Sequence, residues 1–471
     1  MEFLEEIAYC IDTEKNKFNL LGEISRGGQG AVYKTQYGTV VLKLELEKGS
    51  FVAENPKSHE RFLSLRLLPI PANLNITLPM TILEKYSGYT MKMMDDMTSF
   101  KSFFSGEVDN TPVENEWLEQ IATANSELAM LFYKLIKRGG LRKFFQAYFY
   151  AARILAELHF SGLVYCDFSP NNVFISTDPI NCIVWFIDAD NLDFQENTSK
   201  QIIYTPGIGA PELCDNEVRK GCTFYSDCHA FAASMFQQFT GHNQFEGAAY
   251  EEKINECDSL EEADYLRDRG DFAWVFDSED NSNYWEGGEI FQNLIPEEVM
   301  ELFDKTFGAG LFKPFKRPSM AEWSYTLAKV TDKIIRCPKC QMDRHGGIDS
   351  CTWCDCKHTV LEIKTRFGHE NYFWYFAHEI QSDEVIKITM RTVHGFRSNE
   401  IDDIAFNFKF SKNNLIIQKV SNKFSAEFED ANTPRTESAG FETTEKNFTI
   451  YCTDSENLTS VIELRVVNAN K

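Results

Sequence analysis

Cys337-Pro338-Lys339-Cys340 and Cys351-Thr352-Trp353-Cys354 are two CxxC pairs separated by ten residues, and they limit what this chain can fold into more than any other feature. Paired knuckles at this separation point to a zinc ribbon. Four thiolates close one tetrahedral site, and the metal lets a very small segment fold. Cys337, Cys340, Cys351 and Cys354 are the expected Zn2+ ligands, while Cys356, His345 and His358 leave the fourth ligand open. A redox role is disfavoured, because no thioredoxin-like βαβ pattern surrounds the pairs. A closed site of this kind serves structure or presents a partner surface. The cluster also divides the chain by pattern. Residues 211–335 read as mostly helical, whereas from 359 onward β-branched and aromatic residues alternate with polar ones. That alternation predicts an all-β C-terminal domain, with strands near 404–410, 415–420, 448–452 and 461–467.

A chain of 471 residues exceeds what one core can serve, so two to four domains are expected. Hydrophobic residues make up 43% and aromatics 14%, enough for globular cores. The formal charge of −24 repels phosphate backbones and anionic lipid, so neither nucleic acid nor membrane is an expected partner. The most apolar stretch, 144–160, is broken by Gln146, Arg153 and Glu157 and reads as a water-soluble helix. The opening Met1-Glu2-Phe3-Leu4-Glu5-Glu6 lacks the basic and apolar regions of a secretory signal, so a cytoplasmic protein is expected. In that compartment the 13 cysteines read as thiols or metal ligands rather than disulfides.

Residues 18–24, 31–34 and 39–46 read as three antiparallel strands with tight connections. Asn55 and Pro56 supply an N-cap and a first-turn proline for a helix on which Glu60, Leu63 and Leu67 share one face, predicted as the apolar one. Further helices are predicted over 116–137 and 141–159, the latter ended by Gly162. An irregular acidic insertion is expected near 246–290, and a mobile loop over 431–447, which is rich in Thr, Ser, Glu and Gly.

Chemistry concentrates in two short stretches, Tyr165-Cys166-Asp167-Phe168-Ser169-Pro170-Asn171-Asn172 and Phe186-Ile187-Asp188-Ala189-Asp190. An Asp, an Asn five residues later and a second Asp after an apolar strand suit phosphoryl transfer. One carboxylate orients a hydroxyl nucleophile, and the amide oxygen and other carboxylate hold Mg2+ against nucleotide phosphates. Upstream, Ser25-Arg26-Gly27-Gly28-Gln29-Gly30 sits between strands, where glycine lets backbone amides approach phosphate oxygens. Val32 follows. Lys43, at the end of the apolar run Val40-Val41-Leu42, is placed to reach the phosphates and to pair with Glu60.

These residues, in this order, resemble the protein-kinase family. Ser25, Gly27, Gly28, Gly30 and Val32 match its glycine-rich loop, with Ser25 replacing the first glycine. Lys43 matches its phosphate-anchoring lysine, Glu60 the helix partner of that lysine, and Met93 joins the nucleotide-binding set. Asp167 matches the catalytic aspartate, and Asn172 and Asp188 the Mg2+ ligands. Ala210-Pro211-Glu212, Ser226-Asp227 and Arg317-Pro318-Ser319 match later landmarks. The resemblance implies an α+β, bilobal kinase-like domain with an N-lobe over 10–94 and a C-lobe over 95–335, then the zinc ribbon at 336–358 and the β-rich domain at 359–471. It implies ATP and Mg2+ as cofactors and a protein substrate. Antibiotic and choline kinases share the Asp and Asn residues but lack the Ala-Pro-Glu and Arg-Pro-Ser motifs, so a protein-substrate kinase is favoured. Thr205-Pro206 agrees with a Ser/Thr-type substrate loop, and is otherwise an ordinary turn.

Departures from the family pattern carry information too. The arginine before the catalytic aspartate is Cys166, so no matched cation clamps an activation-loop phosphate, and activity independent of phosphate at Thr198, Ser199 or Thr205 is expected. Ser169 replaces a lysine, and Asp188-Ala189-Asp190 replaces Asp-Phe-Gly, with Asp190 either binding Mg2+ or capping the next turn. These losses raise a second class, a pseudokinase scaffold that binds nucleotide and partners. A kinase domain followed by a zinc ribbon and a β-rich tail also resembles bacterial Ser/Thr kinases of stress and phage defence. Some of these are encoded beside a phosphatase and a von Willebrand-type protein, which makes such proteins candidate partners. The tail is expected to bind a partner or substrate protein, or to act as a structural lid.

Overall fold

Val40–Glu47 is apolar at Val41, Leu42, Leu44 and Leu46, and all four are buried. A strand covered on both faces belongs at the centre of a sheet. In the computed structural model, which describes residues 7–27, 30–54, 56–107, 116–178, 181–217, 220–346, 350–397, 400–411 and 414–467, it lies there. The antiparallel order is Gly22–Arg26, Gly30–Lys34, Val40–Glu47, Gly88–Lys92, Thr81–Ile82, and Ser50–Phe51 also pairs with the central strand. The strand predicted over 18–24 is divided at Leu20 and Leu21. Lys17–Asn19 pairs with Tyr9–Ile11 in a separate ribbon, and Gly22–Arg26 forms the exposed edge of the main sheet.

Helix Pro56–Leu67 forms as predicted, with its proposed cap Asn55 outside the described residues. Its predicted apolar face is wrong. Leu63 and Leu67 are 42% and 84% exposed, and Phe62 and Leu65 are buried instead. The Phe62 and Tyr89 rings pack edge to face with centroids 4.9 Å apart, so one aromatic contact outweighs two leucines in setting the helix's rotation.

The structure has two compact units, Met1–Glu107 with Ala147–Ser324 and Val108–Gln146 with Tyr325–Lys471. In the first unit, the small antiparallel sheet Val184–Phe186, Val173–Ser176, Met97–Ser99 carries the Asp167 and Asp188 stretches at its ends. Helix Phe224–Thr240 opens with a Thr223/Ser226 capping box and ends at Gly241 with φ +71°. Around Phe231 and Phe236 of this helix pack Phe168, Phe303, Phe307 and Trp323. The region 246–290, expected to be irregular, contains helices Ala248–Glu256 and Leu260–Asp268. Ser259 caps the second helix, and Arg267 binds Glu246, Asp264 and Asp268, so the acidic character is consumed locally.

In the second unit, helices Glu116–Ala124 and Ser126–Lys137 meet at Asn125, whose side chain accepts from Leu128 N–H. The C-terminal region is all antiparallel. One sheet runs Trp374–Glu379, Val360–Phe367, Thr459–Val467, Asn447–Asp454, Phe424–Glu429, Thr436–Glu437, and the other Val385–Thr389, Ile404–Ser411, Asn414–Lys419, Gly440–Thr443. Phe406, Phe408, Phe424, Phe428 and Phe448 alternate into the core. The loop expected at 431–447 carries two of these strands. Asp430 organises it by accepting from Asn432 N–H, Thr433 N–H and the Thr443 hydroxyl. Among the described residues no helix is long and apolar enough to cross a membrane.

Candidate functional site

Strand register sets Lys43 between Val32 on one side and Tyr89 on the other. Gly30 lies over its side chain. A Cβ on Gly30 would stand 3.1 Å from Lys43 Cε, so the absence of a side chain there lets the hairpin close over the lysine. Gly27 N–H donates to Gly30 O at 2.8 Å, and Ser25 pairs with Val32, while Gly28 and Gln29 lie outside the described residues. Met93 is half-buried and donates its N–H to Thr39 O at 2.8 Å.

Lys43 Nζ is bound by Asp188 Oδ1 and, at 2.7 Å, by Asp190 Oδ2. The expected pairing with Glu60 is not what the structure shows. Glu60 is exposed on its helix, and the neighbouring Arg61 turns to Glu45. The reason is the same rotation that buries Phe62. Tyr89 donates its hydroxyl to Asp190 Oδ1, so both oxygens of Asp190 are occupied. Asp188 adopts φ 57° at the start of the 3-10 turn Ala189–Asn191, which brings its carboxylate and that of Asp190 round to the same lysine.

The Asp167 stretch is held from several sides. Thr205 Oγ1 donates to Asp167 Oδ1 at 3.2 Å, and Asn172 Nδ2 to Asp167 Oδ2 at 3.1 Å. Since the Asn172 amide nitrogen is spent on Asp167, its Oδ1 remains as an acceptor or ligand. Ile187 N–H donates to Asn172 O at 2.9 Å, joining the two stretches through the backbone. The carboxylate of buried Asp227 accepts from Tyr165 N–H at 2.8 Å and Cys166 N–H at 3.0 Å, where Cys166 takes φ 73°. His159 Nε2 contacts the same carboxylate at 3.0 Å. The Arg317 guanidinium is fully buried and grips Glu212 with two bonds of 2.7 and 2.8 Å. All these pairs lie in the first unit.

Burial pushes the Asp167 carboxyl above the ordinary carboxylate range, although Thr205 and Asn172 oppose the shift. Burial also raises Asp188, and the Asp190 charge adds to it. For Asp190, burial works upward but the Lys43 charge and the hydrogen bonds from Lys43 and Tyr89 outweigh it, so it lies below the ordinary range. Burial disfavours the Lys43 ammonium, yet the carboxylates of Asp190 and Asp188 prevail and raise its pKa. The two carboxylates that touch Lys43 are thus shifted in opposite directions, Asp190 down and Asp188 up. Asp188 and Asn172 offer hard oxygen donors of the kind Mg2+ takes. Tyr89 and Asp190 as the lysine's partners escaped the sequence reading. Only the strand register, which places Tyr89 opposite Lys43, could have revealed the first.

The second cluster is the cysteine group. Strands Ile334–Arg336 and Asp343–His345 form the hairpin that carries the first knuckle. Cys337 N–H donates to Met342 O, and Cys351 N–H to Cys356 O, closing two equivalent turns. Each knuckle is followed by a residue with positive φ, Gln341 at 59° and Asp355 at 54°. The Sγ atoms of Cys337 and Cys354 stand 3.7 Å apart and those of Cys340 and Cys351 3.6 Å. A tetrahedral zinc with bonds of about 2.3 Å requires sulfurs about 3.8 Å apart, so the four thiolates fit a metal such as zinc. Cys356 and His358 form a separate group with Cys337, and His345 belongs to neither. Trp353 packs on Trp117 at 4.3 Å and donates to Asp343 O at 2.9 Å, fastening the ribbon to the helices of its own unit.

Comparison with protein-family models and with curated proteins returned no match.

Proposed function

We propose that this chain transfers a phosphoryl group from Mg-ATP to Ser or Thr hydroxyls of a protein substrate; its charge of −24 disfavours a polyanion such as nucleic acid in that role.

 This reading rests on one observation above all. Lys43, Asp167, Asn172, Asp188 and Thr205, far apart in sequence, are joined by hydrogen bonds and ion pairs within one unit. The bracing pairs Asp227 to the Asp167 stretch and Glu212 to Arg317 support it.

In this reading residues 10–94 and 95–335 make the two lobes of a kinase-like fold, and the ribbon at 336–358 with the β-rich domain at 359–471 presents a partner surface. Asp167 orients the acceptor hydroxyl and takes its proton late. Its raised pKa suits a group that must hold a proton briefly. Asn172 and Asp188 would hold Mg2+, which supplies charge neutralisation at the phosphates. Lys43 fixes the nucleotide's position, and Thr205 holds Asp167 in place for the substrate. Positioning and electrostatics do most of the work.

A second reading, a nucleotide-binding scaffold without catalysis, is favoured by the closure of Lys43 onto both Asp188 and Asp190. A phosphotransfer assay with labelled ATP separates the two. Asp188→Ala is expected to lower the rate by about a hundredfold or more, the scale on which loss of an electrostatic stabiliser is felt. Equal rates for variant and wild type would end the enzyme reading.

A further inference from the structure

The sequence offers Glu60, on the helix Pro56–Leu67, as the carboxylate for Lys43, whereas the structure sets Asp188, the expected Mg2+ ligand, and Asp190 against the lysine. Asp190 Oδ2 lies 2.7 Å from Lys43 Nζ, and both side chains are largely buried. Its other oxygen takes the Tyr89 hydroxyl, and Tyr89 stands opposite Lys43 in the neighbouring strand. The helix meanwhile offers this region an aromatic ring and a cation. Phe62 contacts Tyr89, and Arg61 binds Glu45, two residues beyond Lys43. Glu60 is exposed.

We infer that Asp190 is the positioning carboxylate for Lys43, so that the lysine is oriented from the Asp188–Asn191 turn and the sheet rather than from the helix Pro56–Leu67. The inference rests on the phosphoryl-transfer reading for its functional meaning, but not for its geometry. It also assigns Asp190 a role other than metal ligand or turn cap. Each Asp190 oxygen already faces a proton donor, Lys43 or Tyr89, and a metal ion on either oxygen would stand beside the Lys43 ammonium, which disfavours it there. A lysine held this way has a consequence for control: displacing the helix leaves its carboxylate partner in place.

The test uses the full chain and four variants, Asp190→Asn, Tyr89→Phe, Glu60→Gln and Asp188→Asn, with two readouts. The first is acylation of Lys43 by an amine-reactive ester, followed by peptide mass spectrometry. The second is KM for ATP and kcat. Asp190→Asn is expected to raise the rate of Lys43 labelling about tenfold or more, the effect of losing a charge-assisted hydrogen bond, and to raise KM for ATP more than it lowers kcat. Tyr89→Phe, which removes only a hydroxyl, raises labelling by less. Glu60→Gln leaves both readouts within about twofold, as surface changes do. Unchanged labelling in both Asp190→Asn and Tyr89→Phe, or an equal effect of Glu60→Gln, overturns the inference. If Asp190→Asn does not fold, Tyr89→Phe decides alone. If wild type and Asp188→Asn show equal phosphotransfer, the enzyme reading fails, and the labelling still decides which carboxylate holds Lys43.

Discussion

Thr198 and Ser199 are adjacent hydroxyls with opposite surroundings. Thr198 is fully buried and donates to Cys222 O at 3.0 Å, while Ser199 is exposed and its hydroxyl donates to Glu196 O, nearby in sequence. A buried hydroxyl in this position serves packing, and removing it leaves a carbonyl without its partner. Thr198→Val is expected to cost about 1–3 kcal/mol in denaturant unfolding, with Ser199→Ala within about 0.5 kcal/mol of wild type. Rescue of Thr198→Val activity by Thr198→Glu would contradict this and point to phosphate control. At this scale, what sequence could show depended on distance along the chain. Asn172 reaches Asp167 across five residues, a separation legible as a spacing. Lys43 and its partners are 145 and 147 residues apart, and nothing local distinguishes Asp190 from Glu60 as the one that arrives.

Elements were legible where their signal was periodic and long. The helices within 116–137 and the alternating strands after 359 formed where the pattern placed them. The helix Pro56–Leu67 formed too, but its rotation was decided by Phe62 finding Tyr89, a tertiary contact outside the pattern. The strands within 431–447 were hidden because polar turn residues mask short strands whose register is set by partners outside that segment, Asn414–Lys419 and Phe424–Glu429. One element depends on a remote carboxylate. Helix Gly140–Phe160 begins at two glycines with positive φ, and Asp343 Oδ2 accepts from Arg142 N–H at 3.3 Å. A Cβ on Gly140 would lie 2.0 Å from that oxygen. Burial raises the Asp343 carboxyl to about 6, from 3.8. A pKa raised on folding favours the protonated native state, so its contribution is fully present below about pH 4 and lost as pH rises through 6. Relative to wild type, Asp343→Asn is therefore expected to gain stability as pH rises from 5 to 8, by about 1.4 kcal/mol, the earlier part of the loss falling between about pH 4 and 5. Thermal melts of the metal-loaded proteins across that range check it. A difference between the two proteins that does not change with pH would mean that Asp343 keeps its proton, or never needs one.

At the scale of the whole molecule, the charge of −24 and the two units set the terms. The cysteine cluster lies in the second unit, and the Lys43, Asp167 and Asp188 group in the first, so each unit has a different stabilising ligand to be tested. Two units of this size need not unfold together, and a single transition cannot be assumed. A ligand that binds only the native form of one unit stabilises that unit, by about 2.7 kcal/mol at a hundredfold excess over its dissociation constant. The expectation is two calorimetric transitions. A zinc chelator lowers one of them, because four thiolates without a metal cannot hold the ribbon on Trp117 and the helices beneath it. Mg-ATP raises the other. Cys351→Ser, assayed for bound zinc, is expected to hold less than one equivalent and to reproduce the chelator's effect without adding to it. A full equivalent of zinc in Cys351→Ser would remove that residue from the ligand set and move the metal toward Cys356 and His358, which share Cys337 with it. If chelator and Mg-ATP shifted one common transition instead, the two units would unfold as one, and the loss of zinc would reach the Lys43 group through the fold itself.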